Sequence, residues 1–429
     1  MKTGSAQRSD AELVILNQYY FPDVASTGHL LHELAVETAK MGRAVSVLTC
    51  FPSYGPPESW VPCEAQEAVH GVQVRRMRTT RYSKDRLLGR LSNAFTFLVP
   101  LLARQVFSSS RGRVYMYTSN PPFLGIIGGL VSLVRRHRYI VLLHDSYPHL
   151  AVWCRKIQPL GPIERIWHVV NRIMYRRASQ TIVLCQRAKD LVVKEYGVDP
   201  ARVHVIHNWA DPAAITPLDK GKSEFAAHNG LDRMFTLLYS GNLGLYYEFE
   251  TLLAVADRFR NDPDFRLVLT GSGGKRAWIA EEIRRRQLTN VQMHPYQPFE
   301  KLNDSLNACD VSLVTIAKGI EGISFPSKLY SSLAVGKPIL AISEQGSELK
   351  DLVEGAGAGF WIEVGDVEGL EMAIKKLRAQ PELCQRMGLA ARRCMEARFT
   401  ASEAASQYLA VVDQAAGTSG RPIQRQVPA

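Results

Sequence analysis

Apolar runs of four to six residues recur along the chain at 12–17, 44–49, 114–118, 139–143, 181–184 and 203–206, and again at 235–239, 265–270, 291–294, 310–315 and 338–342. Between them, apolar positions three to four residues apart predict helices over 28–41, 87–107, 276–286, 299–308, 367–380 and 401–413, with another entered at about Tyr247. Continuous rather than alternating apolar runs mean strands buried on both faces, and strands separated by helices mean a parallel sheet. The pattern predicts an α/β protein. Its restart at Phe235 predicts two doubly wound, Rossmann-like sheets.

A length of 429 residues exceeds what one ordinary core serves and suits two domains of about 150 to 200 residues each. The first is expected over 1–212, closing at Asn208-Trp209-Ala210-Asp211-Pro212, and the second over 213–400, with 213–232 as the linker region. A last helix, 401–416, is expected to pack back on the first domain, and the polar 417–429 to be a disordered tail. Two such domains facing each other would place the C-terminal ends of both sheets on one crevice, where ligands bind in these folds.

Composition narrows the class. Apolar residues make up 46% of the chain and charged residues 22%, which is globular. Seven Cys lie without a C-x-x-C pair or regular spacing, so neither a disulfide framework nor a thiolate metal site is signalled, and they suit a reducing cytoplasm. The opening MKTGSAQRSDAE lacks the apolar core of a signal peptide, and the apolar runs at 94–103 and 121–134 are too short or too glycine-rich to be expected to span a bilayer.

The net charge of +11 is unevenly placed: residues 1–208 carry 27 Lys/Arg against 14 Asp/Glu, and the remainder 25 against 27. Within 71–113 there are ten Lys/Arg and a single acid, Asp85, interleaved with LLGRLSNAFTFLVPLLARQVF. Basic residues beside an amphipathic helix suit an anionic membrane surface; the plain alternative is a core helix with a solvated basic flank. No aromatic-and-basic single-strand pattern or recognition helix is visible, so nucleic acid is not an expected partner.

Four stretches carry candidate chemistry. Gly28 stands between a strand and a helix, where a missing side chain lets backbone approach a phosphate, although a single loop glycine is an ordinary feature. Thr270-Gly271-Ser272-Gly273-Gly274-Lys275 follows a strand and opens a helix. It lacks the full P-loop spacing and the Ser/Thr that would hold magnesium, so it reads as a phosphate cradle without a metal, or as a structural turn. In EGISFPSKLYSSLAVGKP, Lys328 follows Pro326-Ser327 at the head of a short helix, a second place for diphosphate charge, while Glu321 suits sugar hydroxyls and Ser331 a ribose. A solvated Glu and a snorkelling Lys are the alternative. In Leu142-Leu143-His144-Asp145-Ser146-Tyr147-Pro148, Asp145 could accept from a sugar or acceptor hydroxyl and His144 could shuttle a proton near neutral pH, or the two could form a structural pair.

Jointly and in order, Ser240-Gly241-Asn242-Leu243-Gly244, Gly271-Ser272-Gly273 and Pro326-Ser327-Lys328-Leu329-Tyr330 running into Leu333-Ala334-Val335-Gly336-Lys337-Pro338 resemble the retaining GT-B glycosyltransferases of family four. The likeness covers nearly the whole chain and is nearest to the branch that builds bacterial O-antigen, capsule and exopolysaccharide. It implies a GT-B fold and no cofactor beyond a nucleotide-sugar donor, UDP-linked by preference; taken with the positions read above, donor-binding roles are expected for Gly28, Gly241, Asn242, Gly271, Gly273, Lys275, Ser327, Lys328 and Ser331. Catalytic roles fall to His144, Asp145, Glu321 and Lys328, with no metal, as no Asp-x-Asp motif lies in a crevice loop.

Departures accompany the likeness. Where most of the family has an Arg after the glycine matching Gly241 and a Lys five positions later, this chain has Asn242 and Tyr247. The places of the family's two glutamates hold Ile323 and Ser331, with Glu321 two residues early. Lys275 and Lys328 are expected to supply the missing charge together, converging on one diphosphate. The resemblance implies an oxocarbenium-like transition state in which the leaving phosphate takes the acceptor's proton. The acceptor is expected to be a polyprenyl-linked saccharide met at the cytoplasmic face of the membrane. An epimerase on the same fold and a non-catalytic partner subunit are the competing functions.

Overall fold

The structure, a computed structural model, describes residues 10–23, 26–54, 57–82 and 87–417. The expected tail from Thr418 on, the first nine residues, and Lys84, Asp85 and Arg86 of the basic stretch lie outside the described residues. The chain divides into two compact units, one comprising residues up to His207, Gly322–Ser324 and residues from Ala401, the other Asn208–Glu321 and Phe325–Thr400.

In the first unit the strands are β1 (Glu12–Leu16), β2 (Val45–Cys50), β3 (Gln66–Val69), β4 (Val72–Met77), β5 (Arg113–Thr118), β6 (Tyr139–Leu143), β7 (Gln180–Val183) and β8 (Val203–Val205). They run in the order β3-β4-β2-β1-β5-β6-β7-β8, parallel throughout except for the β3–β4 hairpin. Helices α1 (Ser26–Lys40), α2 (Leu87–Phe107), α3 (Leu124–Val134), α4 (His149–Trp153), α5 (Pro162–Arg177) and α6 (Gln186–Tyr196) fill the crossovers. Strand β6, YIVLL, is buried at every position, as a strand covered on both faces must be. Each large aliphatic side chain so enclosed contributes about 1.5–3 kcal/mol.

In the second unit β9 (Phe235–Ser240), β10 (Phe265–Thr270), β11 (Val291–His294), β12 (Val311–Thr315), β13 (Ile339–Ser343) and β14 (Gly359–Glu363) form an all-parallel sheet ordered β11-β10-β9-β12-β13-β14. Helices α7 (Glu224–His228), α8 (Glu250–Arg258), α9 (Arg276–Arg286), α10 (Phe299–Asn307), α11 (Lys328–Ala334), α12 (Glu348–Gly355), α13 (Val367–Ala379) and α14 (Pro381–Arg398) pack on it. The last helix, α15 (Ala401–Ala416), belongs to the first unit, where it lies on α1 and Asp413 Oδ1 takes the buried Arg43 guanidinium at 2.6 Å.

The stretch 213–232, expected as a linker, is instead docked in the second unit. Buried Lys220 pairs with Asp310 at 2.6 Å, and the Asp304 carboxylate accepts the first N–H groups of α7 at 2.9 Å. Specific polar anchors hold this segment where apolar periodicity is too weak to announce it.

Candidate active site

In the second sheet β9 is flanked by β10 on one side and β12 on the other, so the loops leaving β9 and β12 diverge at the topological switch point where doubly wound sheets bind ligands. The β9 and β10 loops interlock through backbone bonds, Leu243 N–H to Ser272 O at 2.8 Å and Lys275 N–H to Leu243 O at 2.8 Å. A Cβ on Gly271 would sit 1.9 Å from the Gly241 carbonyl oxygen, and one on Gly273 2.4 Å from the Leu243 backbone. Both glycines are there because one loop lies flat on the other. Asn242 is exposed, and its carbonyl accepts the Tyr239 hydroxyl at 2.6 Å.

Lys328, the first residue of α11, reaches this interlocked floor. Its Cε lies 3.2 Å from where a Cβ on Gly241 would be, so the glycine makes room for the lysine. The ammonium lies over the Tyr247 ring, 3.4 Å from its centroid, and 4.6 Å from that of Tyr239. The residue is 9% exposed, and burial holds its pKa well below the ordinary lysine value. A desolvated ammonium over an aromatic face gains about 2 kcal/mol or more, against several kcal/mol lost on leaving water, so the charged form awaits an anion.

The other expected residues are placed differently. Lys275 is not open to a diphosphate: its ammonium donates to Tyr247 O at 2.9 Å and to both oxygens of Glu250, at 2.9 and 3.2 Å. The two lysines therefore meet opposite ends of one residue, Lys328 on the Tyr247 ring and Lys275 on its carbonyl, and the second is neutralised by Glu250, an acid unremarked in the sequence. Glu321 is buried, and its carboxylate accepts the N–H of Glu348 at the head of α12. Ser327 is exposed just before α11, and Ser331 Oγ donates to Lys328 O at 3.0 Å within the helix.

In the first sheet β1 and β5 mark the corresponding switch, where Thr118 Oγ1 donates to Asn17 Oδ1 at 2.6 Å. The Ser119 hydroxyl oxygen accepts the N–H groups of His144 and Asp145 at 3.1 and 3.2 Å, and Ser146 N–H donates to Ile323 O at 2.7 Å. Burial raises the Asp145 pKa, and a hydrogen bond from Ser324 opposes it. A cavity of about 10 Å³, lined by Thr118, Ser119, Asp145, Tyr147 and Asn171 among others, adjoins this carboxylate and has room for about one water.

Burial pushes His144 down to about 4, so its imidazole is neutral at pH 7 and the expected near-neutral proton shuttling does not follow. Gly28 has a local packing role as well. A Cβ there would meet Tyr19 O at 3.1 Å, so the space is already filled by the chain's own backbone. Sequence reading named Tyr247 only as the place of a missing lysine, and missed it and Tyr239 of β9 as aromatic faces beneath Lys328; for Ser119 and Ser324 it offers no signal. A groove of about 610 Å³ opens near Phe235, Asp310 and Pro338, at the N-terminal edge of the second sheet, so volume does not mark the site.

Comparison with known proteins fits this architecture. The model described as "Glycosyl transferase 4-like domain" matches residues 27–209, and "Glycosyl transferases group 1" matches residues 222–394. The chain is 24% identical over 354 residues to WbjE of Pseudomonas aeruginosa, named as a probable glycosyltransferase, covering 82% of this chain and 85% of that protein. It is 31% identical over 192 residues to WcaI of Escherichia coli (strain K12), named for colanic acid biosynthesis, covering 44% of this chain and 47% of that one. The crystal structure of Anabaena HepE in complex with UDP superposes with a TM-score of 0.67 at 17% identity, covering 92% of this chain and 98% of that one. With both units matched in order and the sheets those of the GT-B fold, the chain belongs to the glycosyltransferases that join a 4-like domain to a group 1 domain.

Proposed function

We propose that this glycosyltransferase binds a UDP-sugar at Lys328 and transfers the sugar, with retention and without a metal, to a lipid-linked saccharide at the cytoplasmic face of the membrane. The observation that carries the reading is Lys328 itself. It is a buried lysine with no acidic partner among the described residues, seated at the switch point on Gly241 and Tyr247. Charge growing on a leaving diphosphate is what such a group stabilises best, because a dry ammonium interacts far more strongly than a hydrated one. The cation that the family resemblance implies at the place of Tyr247 is in this reading replaced by one resting on the tyrosine ring.

The remaining residues divide the work. Asp145, kept less acidic by burial, orients the acceptor hydroxyl, and the leaving phosphate takes the acceptor's proton. Glu321 positions the Lys328 loop by holding the head of α12. UDP as the nucleotide is supported by the HepE complexes with UDP and UDP-glucose, and a saccharide precursor as acceptor by the colanic acid biosynthesis for which WcaI is named. Membrane docking is supported by the outer face of α2, which exposes Leu88, Leu91, Phe95 and Val99 beside Arg90. On α5, Ile163, Ile166, Val169 and Ile173 are exposed beside Arg165 and Arg172. No described helix is long and apolar enough to cross a membrane.

Calorimetric titration of UDP into the wild type and Lys328→Met tests the central claim. A lost charge-assisted contact should weaken binding about 10-fold or more, with thermal unfolding unchanged. Equal affinity would remove Lys328 from the donor site. Donor epimerisation without UDP release would replace transfer by isomerisation.

A further inference from the structure

We propose that the first unit carries a divalent transition-metal site, of a chemistry suited to Zn²⁺, formed by His149, His168 and Glu195. One ligand atom from each lies within 4.8 Å of the others, and the three come from three separate helices, the start of α4, the middle of α5 and the end of α6. Glu195 Oε2 is 2.8 Å from His149 Nε2 and 3.8 Å from His168 Nδ1. Bonds of 2.0–2.1 Å in a tetrahedron put ligand atoms about 3.3 Å apart, so these two spacings bracket what the ion requires.

The outer atoms are those of a built site. His149 Nδ1 is held by Ser146 Oγ at 3.0 Å, which fixes that ring, and Glu164 Oε1 stands 3.6 Å from His168 Nε2, a carboxylate on the outer side of the second ring. Two neutral imidazoles and two nearby carboxylates balance a 2+ charge. The Tyr196 hydroxyl, 3.2 Å from His168 Nδ1, would give up that contact and keep Asn171 at 3.1 Å. Glu195 has 41% of its side chain exposed, which leaves an entry path and a fourth position for water. Binding through His149 Nε2 places the ring's one N–H on Nδ1, where Ser146 Oγ accepts it. Ser146 follows Asp145 directly, so the ion would tether the 144–148 loop; the site is independent of the donor reading.

Full-length protein stripped with a chelator is titrated with Zn²⁺ by calorimetry and with Co²⁺ by absorbance. The expected result is one equivalent bound and visible Co²⁺ bands without the near-ultraviolet thiolate band. His149→Gln, His168→Gln and Glu195→Gln should each weaken binding at least about 10-fold, and Ser146→Ala about 10-fold through the lost orienting bond. Glu195→Gln alters an exposed group and serves where a histidine variant fails to fold. No bound equivalent, a thiolate band, or wild-type affinity in Glu195→Gln overturns the site.

Discussion

At Lys328 two opposing effects decide the protonation state. Burial at 9% exposure removes hydration worth several kcal/mol, while the Tyr247 and Tyr239 faces return about 2 kcal/mol, so the amine is driven toward neutrality. An arriving diphosphate reverses the balance and raises the pKa. UDP binding is therefore expected to take up a proton at pH values between the depressed pKa of free Lys328 and its raised pKa in the complex, and to weaken progressively across that same window as pH rises. Calorimetry in buffers of different ionisation heat reads that uptake. An enthalpy independent of buffer at every pH, in wild type and Lys328→Met alike, would show that the ligand does not charge this group. Lys275 presents the contrast: its partner Glu250 is 50% exposed, and such a pair contributes at most about 1 kcal/mol, so it fastens the β9 loop.

Among the elements, α2 has apolar residues on two sides. Its inner side buries Phe97 and Leu101 and is pinned by Asn93, which bonds Tyr82 O and the Tyr82 N–H at 2.9 and 3.0 Å. Its outer stripe, 88, 91, 95 and 99, recurs at helical spacing and stays exposed. A core helix needs only the first side; the second, with arginines beside it, is the pattern of a helix lying in a lipid interface. Flotation with anionic liposomes should recover the wild type in a salt-sensitive way, and Leu91→Glu with Phe95→Glu should lose it. Equal recovery of both proteins would assign the stripe another role. The β9 and β10 loops show the opposite economy, since Gly271 on the Gly241 carbonyl leaves no room for a side chain.

Across the whole molecule, buried histidines set the acid limit. His32, His137 and His144 are each pushed from 6.5 to about 4 by burial, and all three lie in the first unit. Below pH 6.5 the unfolded chain binds protons that the folded one refuses, at about 1.4 kcal/mol per pKa unit for each group, so stability falls as pH drops toward 4. Urea midpoints across that window should decline steadily. A flat profile would mean that these rings are protonated in place.

Local spacing was enough to find the parallel strands from β1 to β13, apart from the β3–β4 hairpin, because a strand covered on both faces must be apolar without interruption, and that is visible in any window of six residues. The same runs, alternating with helices, were enough for two doubly wound sheets and for the glycine loops above them. The β3–β4 hairpin escaped because β4 carries Arg76, a charge that looks exposed until its guanidinium is seen on the Glu64 and Phe21 carbonyls. At the site, a string of letters could supply two lysines but not their partners. Whether an ammonium meets Glu250 or a tyrosine face depends on which loops are brought together, and so does how closely Gly28 packs on Tyr19. Those are contacts between residues far apart in the chain, and folding alone settles them.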